Sequence, residues 1–442
     1  MTKNENILLI EFLRAFITSN MVIDSFRAND TDFTRKRKLP FWTTTVLILR
    51  SWKSSINNKI AFFFNDLNLI DGMPTPSAFC QARRKIKPEL FIALRNETVK
   101  FFYDNYKKAG LVKRWKGRLL KAIDGTYVNL PDTKETRQKY SISKNQHNTD
   151  GTVQALSSFL YDVLNEICIN SVINEIKSEK SFVFSDHLKH FTKEAIIIYD
   201  RLYADYSVLS FHVKKDIDFV IRCPVSNTFK EVIDFVKSDC KDKIVELKVT
   251  ESQKKFVRQN SYPEVITVRL VKVKLKSGII EVLITSLLDE TTYKHKDFKW
   301  LYNKRWGIET YFNRLKNLLE IERFSSETVI GIEQDFHSLV FLSTLESVLI
   351  KEEEKKVSKR NYEKNLKYAY EINKSVSYSA IAYYIVELLL ETNVLPSKIL
   401  DKLSMIFKIG LSPQRPGRKY IRKDNCSAKK FKHQKYVKRI LA

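Results

Sequence analysis

Four polar side chains in one stretch, Tyr302, Arg305, Glu309 and Lys316, stand 0, 3, 7 and 14 residues from the first of them. At about 100° per residue of α-helix they fall at about 0°, −60°, −20° and −40°, on one narrow stripe. Asn313 joins that stripe, while Trp306, Ile308, Phe312, Leu315, Leu318 and Leu319 occupy the other flanks. Alone, the pattern describes an amphipathic helix with a solvated Arg305–Glu309 ion pair, worth about a few tenths of a kcal/mol. Two aspartates upstream change the balance. Asp124 follows the apolar run from Arg118 to Ile123, and Asp200 follows Ala195-Ile-Ile-Ile-Tyr199. Acids at strand ends lie where a sheet opens onto a site. Three carboxylates, two from strands and one from a helix, suit the oxygen-seeking Mg²⁺ ion. Asp132 and Asp205 stand nearby and are the alternatives to the two aspartates.

These groups need elements to hold them. Residues 1–112 read as helical, with apolar residues at helical spacing from Ile7 to Ile17 and from Phe41 to Trp52. Thr75-Pro76 has the cap and first-turn residues of a helix start. The helix after it carries Arg83, Arg84, Lys85 and Lys87, which either dock on DNA or form a solvated face. Beyond Gly117 the pattern changes to strands. Gln154–Tyr161 and Ile167–Ile173 flank the turn-prone residues 162–166 as a hairpin, and Ala195–Tyr199 reads as a buried central strand. The polar stretch Ser178–Thr192 reads as helical. Its His187 and His190 have no third ligand and read as surface residues. Residues 212–286 read as β-rich, Val265–Lys276 alternating so that Lys272, Lys274 and Lys276 share a wet face. A long helical region runs from about Phe298 to Ser358, with Trp300 and Trp306 expected in its core. Tyr378–Thr392 and Ser397–Ile409 follow as amphipathic helices.

The 442 residues carry 77 Lys and Arg against 51 Asp and Glu, a formal charge of +26. Such an excess favours polyanions, of which nucleic acid is the abundant one. It concentrates after Gln414, where eleven Lys or Arg accompany the single acid Asp424. That tail either solubilises the chain or binds phosphates by releasing their counterions. No stretch reaches the roughly 20 uncharged apolar residues of a membrane span, and Glu5 and Glu11 break any signal-peptide order. Five scattered cysteines without a CxxC pair argue against a disulfide framework or a zinc finger, and for a reducing cytoplasm.

The four-residue helix pattern resembles the Y-x2-R-x3-E-x6-K signature of bacterial insertion-sequence-four type DDE transposases. Ala122-Ile-Asp124-Gly-Thr126 is similar to that family's first-aspartate segment. Tyr199-Asp200-Arg201-x-Tyr203 is similar to the second, and Ile332-Glu-Gln334-Asp335 to the segment after the signature helix. The likeness covers about residues 75–345. It implies an α/β protein whose RNase H-like catalytic core carries a β-rich insertion, flanked by helical N-terminal and basic helical C-terminal regions. The expected divisions are a helical DNA-binding region at 1–112, core segments at 113–211 and 287–358 around an insertion at 212–286, and a helical region with a basic tail at 359–442. The resemblance further implies that Asp124, Asp200 and Glu309 are catalytic and hold two Mg²⁺ ions, or Mn²⁺, while Tyr302, Arg305 and Lys316 grip DNA phosphates. The expected function is a cytoplasmic, nucleoid-associated DNA transposase, a homodimer on double-stranded terminal inverted repeats and target DNA, with no membrane partner. A nuclease without strand transfer, or a DNA-binding relic without catalysis, are the competing readings.

Overall fold

The computed structural model describes residues 5–415 except 36, 51–53, 146–147, 177, 276–277, 365 and 391–393. The basic tail read after Gln414 therefore falls, from residue 416 on, outside the described residues. The chain divides into two compact units, one of Met1–Val112, Tyr127–Ala155 and Leu315–Ala442, the other of Lys113–Thr126 and Leu156–Arg314.

The second unit is mostly strands, although the strand Ser141–Asn145 and the adjoining ends of its two neighbours in sequence fall in the first. In chain order the sheet contains β1 (Leu119–Asn129), β2 (Ser141–Asn145), β3 (Asn148–Asp162), β4 (Ile167–Asn174) and β5 (Ala195–Tyr199). It continues with β6 (Asp218–Cys223), β7 (Asp242–Lys248), β8 (Val265–Lys274) and β9 (Ile280–Thr285). Their order is β2-β3-β1-β5-β6-β9-β8-β7, with β4 on the other side of β3. The amide of Val163 donates to Leu120 and that of Leu130 to Val153, so β1 and β3 run in opposite directions. β3 and β4 are also antiparallel. β5 is parallel to both β1 and β6. The run β4-β3-β1-β5-β6, with its last two strands parallel to β1, is the strand arrangement of an RNase H-like core.

Position in the sheet explains the sequence of β5. A parallel strand between two neighbours is covered on both faces, so it reads as an unbroken apolar run. All five residues, Ala195 to Tyr199, are fully buried. Ile196 and Ile198 pack with Leu120, Val220, Val271, Leu283 and the helix residues Phe298, Leu301 and Tyr302.

The block at 212–286 differs from its β-rich reading. Its first strand, β6, is a core strand, and the helices Lys230–Lys237 and Glu251–Gln259 lie among the others. Helices of eight and nine residues bury only one or two side chains each, Val232 and Phe235 in the first and Val257 in the second. So brief a period is easily lost between strands. β7, β8 and β9 extend the same sheet. The wet lysine face is also reduced. Lys272 donates to the Ser238 carbonyl and lies 4.9 Å over the Phe235 ring, whereas Lys274 is exposed; Lys276 lies outside the described residues.

The long helix expected from Phe298 to Ser358 is interrupted. It consists of Asp297–Asn303, Trp306–Asn313, a π-turn at Arg314–Leu318, then Val329–Leu349 and Lys351–Lys364. In the first unit Val329–Leu349 is apolar nearly all round, the composition of a helix surrounded by others. It packs against Glu89–Phe101 and Phe41–Leu49. Thr75 caps Pro76–Arg83 as its residue type predicts, its hydroxyl accepting from Ala78 N at 3.2 Å.

Arg83 is neither a DNA contact nor a solvated residue. It is 4 % exposed. Its guanidinium donates to Gln334 Oε1 and Ser325 Oγ, both at 2.9 Å, to Gly331 O at 3.1 Å and to Asp335 Oδ1 at 3.0 Å. Lys85 pairs with Asp32 at 2.8 Å, which leaves Arg84 and Lys87 as the exposed cations of this segment. Among the described residues no single helix is long and apolar enough to cross a membrane.

Candidate active site

Strand register brings the two aspartates together. β1 and β5 pair Leu119 with Ala195 through Ala122 with Ile198. Two residues further along that register, Asp124 stands level with Asp200 on adjacent parallel strands, which lie about 4.8 Å apart. Asp200 leaves the sheet at once, capping the turn Arg201–Tyr203 by accepting from Leu202 N at 2.6 Å. Asp200 thus sits at the carboxyl end of its parallel strand, where open α/β sheets carry their sites, whereas Asp124, expected at a strand end, lies within β1, which runs on to Asn129.

The third acid arrives through a guanidinium. Arg305 Nη1 donates to Asp124 Oδ2 at 3.3 Å, and Nη2 to Glu309 Oε1 at 2.5 Å. Arg305 occupies the short turn between Asp297–Asn303 and Trp306–Asn313, and only 6 % of it is exposed. Burial pushes the Asp124 carboxyl up to about 7, against the attraction of Arg305 and the Gly125 amide, with Asp200 and Glu179 adding to the rise. Tyr302 is 95 % covered, and its hydroxyl has no hydrogen-bond partner among the described residues. Burial raises that phenol to about 12, although Arg305 and Arg222 favour the phenolate.

Lys316 falls in the first unit, where its Nζ donates to the Tyr127 carbonyl at 2.6 Å and lies 3.8 Å from Glu322. The narrow stripe drawn from Tyr302 to Lys316 assumes one unbroken α-helix. The turn at Lys304–Arg305 and the π-turn at Arg314–Leu318 break that assumption, because a wider turn rotates every later residue. Tyr302, Arg305 and Glu309 precede the π-turn.

Other residues singled out by type have different duties. Asp205 caps Tyr206–Lys215 through Ser207 N and pairs with Lys180 at 2.9 Å; Asp132 pairs with Arg137 at 2.5 Å. His187 is fully buried rather than on the surface, bonded to Ser158 Oγ at 2.9 Å and Asn170 Nδ2 at 3.2 Å. Trp300 and Trp306 are exposed by 42 % and 49 %, not core. Trp300 stacks on Trp115 with centroids 5.7 Å apart, and the Arg305 guanidinium lies 5.2 Å over Trp306. Apolar bulk alone suggested burial; an indole lying against another ring or a cation tolerates solvent on its free face.

One acid near the site has no spacing to announce it. Glu179, at the start of Glu179–Phe182, approaches the backbone beside Asp124, and a Cβ built on Gly125 would lie 2.8 Å from its carboxyl carbon.

The donors fit a hard divalent cation. They are oxygens only, a guanidinium already lies between two of them, and the buried Tyr302 hydroxyl lacks a partner. Among the described residues no three His, Cys, Asp or Glu side chains are grouped closely enough to hold an ion as they stand.

Comparison with known proteins adds an independent line. A family described as a transposase DDE domain matches residues 115–345. The chain is 21 % identical over 301 residues to the transposase InsG for insertion sequence element IS4 of Escherichia coli (strain K12). That alignment covers 66 % of this chain and 65 % of the relative, so the chain spans under two-thirds of the relative's length. Among solved structures, the piggyBac transposase synaptic complex with hairpin DNA aligns with 95 % of this chain and 88 % of its own, at 10 % identity and a TM-score of 0.44.

Proposed function

Because the chain belongs to the transposase DDE-domain family, we propose that it is a DNA transposase which cuts at the terminal inverted repeats of an insertion sequence and joins the ends to target DNA. The observation that most supports this reading is the β1–β5 register, which aligns Asp124 with Asp200, together with the Arg305 bridge from Asp124 to Glu309. In this reading Asp124, Asp200 and Glu309 hold two Mg²⁺ ions, with Mn²⁺ able to replace them. Bound there, the ions supply Lewis-acid stabilisation to the entering and leaving oxygens at phosphorus.

The remaining work belongs to the chain. In the first step a water oxygen attacks the phosphorus at the element's end. The P–O3′ bond breaks and the departing O3′ takes a proton to become a 3′-hydroxyl. In the second, that hydroxyl attacks a target phosphodiester, loses its proton and displaces a target O3′. Arg305, leaving its carboxylates for a phosphate, offers a planar two-pronged donor, and Lys316 offers a point charge. The Tyr302 hydroxyl orients the same phosphate. The protein acts as a homodimer on DNA, one subunit to each element end, in the bacterial cytoplasm and at the nucleoid.

The reading is tested by incubating the full chain with a duplex carrying the repeats that flank its own gene, and Mg²⁺. Excised ends joined to a second duplex are the expected product; cutting without joining would favour a nuclease. Two further outcomes are expected. Arg305→Ala should lower cleavage and joining by about a hundredfold, the usual loss for one donor to developing charge. Duplex affinity should fall much less, since Arg305 is one cation among many that hold the backbone. Equal losses in both would remove Arg305 from the scissile phosphate. Deleting residues 414–442 removes eleven cations and should flatten the plot of log affinity against log salt by about 0.9 for each phosphate the tail neutralises. An unchanged slope would make the tail a solubiliser only.

A further inference from the structure

We propose that Glu179 is a fourth carboxylate of this centre, a direct ligand to the divalent ion held by Asp124 and Asp200. The proposal rests on the reading of the centre as metal-dependent, and it names a residue that neither the signature helix nor the two aspartates include.

The first observation is a fit between Glu179 and the strand that carries Asp124. A Cβ on Gly125 would lie 2.8 Å from both Glu179 Cδ and Oε1, and 3.2 Å from its Cγ. Gly125 does not adopt the left-handed conformation that only glycine favours. Its lack of a side chain therefore serves space rather than backbone: the gap beside Asp124 is filled by the Glu179 carboxylate.

The second is what Glu179 lacks. Among the described residues its one side-chain bond is the Tyr203 hydroxyl donating to Oε2 at 3.4 Å. No Lys or Arg pairs with it among the described residues, and the adjacent Lys180 turns to Asp205 instead, at 2.9 Å. A partly buried carboxylate facing two others without a cation is costly to keep ionised. Among the described residues the one guanidinium paired with any of Asp124, Glu179, Asp200 and Glu309 is that of Arg305. That excess of negative charge on oxygen donors is what a divalent ion neutralises.

The third is independent of the acids. Tyr302 is 95 % covered, and its hydroxyl has no hydrogen-bond partner among the described residues. A buried donor without a partner at this spot fits a group that arrives with the ion, such as a coordinated water or a phosphate oxygen.

Mn²⁺ titrated into the DNA-free full chain, with free ion followed by electron paramagnetic resonance, tests the assignment without reference to activity. Glu179→Gln should weaken Mn²⁺ binding by about tenfold or more. Gly125→Ala, which keeps all four carboxylates but fills the gap, should weaken it similarly, and it decides the matter should Glu179→Gln not fold. Asp124→Asn is the reference. If Asp124→Asn weakens binding while Glu179→Gln and Gly125→Ala bind as the wild type does, Glu179 is not a ligand and the reading of the centre stands. If Asp124→Asn also binds Mn²⁺ as the wild type does, the reading of the centre falls with it.

Discussion

Alanine at Asp124, Asp200 or Glu309 is expected to reduce strand cleavage by at least about a thousandfold, the equivalent of several kcal/mol of stabilisation at the transition state. Binding of duplex DNA should remain largely intact, because most of the +26 charge lies elsewhere. Cleavage retained in any of the three variants would remove that residue from the catalytic set. A second readout accompanies the first. Burial raises Asp124 from 3.8 to about 7 in the folded protein, so between those values the folded chain holds a proton that the unfolded chain has released. Stability therefore falls as pH rises across that window, and above it the full penalty of a buried carboxylate is present. Asp124→Asn removes the penalty. Without divalent ions at pH 8, this variant should melt at a higher temperature than the wild type while failing to cut. A lower melting temperature would mean that the carboxylate supports the fold rather than straining it.

The other large effect concerns Arg83, far from any chemistry in sequence. Three of its acceptors, Gly331, Gln334 and Asp335, fix Pro76–Arg83 against Val329–Leu349 within the first unit, and the fourth, Ser325, lies just before that helix. Arg83→Met leaves Asp335 as a mostly covered carboxylate, 16 % exposed, without its guanidinium. Removing one partner of such a pair costs about 3–5 kcal/mol. Denaturant unfolding should show that loss, and the variant under folding conditions should still bind DNA. Burial alone would raise Asp335, but Arg83, Lys59 and the Ser325 donors more than offset it and hold the carboxyl below 3.8. A depressed carboxylate contributes stability above its unfolded value, and that contribution is lost as pH falls through the folded one. The wild type should consequently weaken below about pH 4, whereas Arg83→Met should show a shallower acid loss. Lost DNA affinity with unchanged stability would return Arg83 to the surface role its neighbours Arg84 and Lys87 retain.

What the sequence reveals of this molecule follows from the range of each interaction. Asp124 and Asp200 are legible because each follows an apolar run, a local pattern, and the parallel pairing of β1 with β5 sets them level, although only Asp200 lies at a strand end. Thr75-Pro76 is legible for the same reason. The helix bearing Arg305 and Glu309 is half legible. Its residue types announce a site, but the break at Lys304–Arg305 and the π-turn at Arg314–Leu318 depend on packing that no 100° wheel contains. His187 looks solvent-facing within a polar stretch until Ser158 and Asn170, from the hairpin strands, enclose it. Arg83 resembles its three basic neighbours, and the acceptors that distinguish it, Ser325, Gly331, Gln334 and Asp335, lie 242 to 252 residues later. Glu179 is the least legible. Nothing in Ser178-Glu179-Lys180 marks a site, and the signal is the glycine after Asp124, which looks like an ordinary turn residue.

The β1–β5 register also sets a schedule for biosynthesis. Glu309 is made 309 − 124 = 185 residues after Asp124. At about 5–20 residues per second, roughly ten to forty seconds separate the first acid from the last on the ribosome. Through that interval the strands can pair, but the acids have neither Arg305 nor Glu309 to join them. On the proposed assignment, a nascent chain would therefore leave the DNA it emerges beside uncut until Glu309 is made. In the proposed centre, a polypeptide released before residue 297 would keep both aspartates but lack Glu309, so premature termination would leave that centre incomplete.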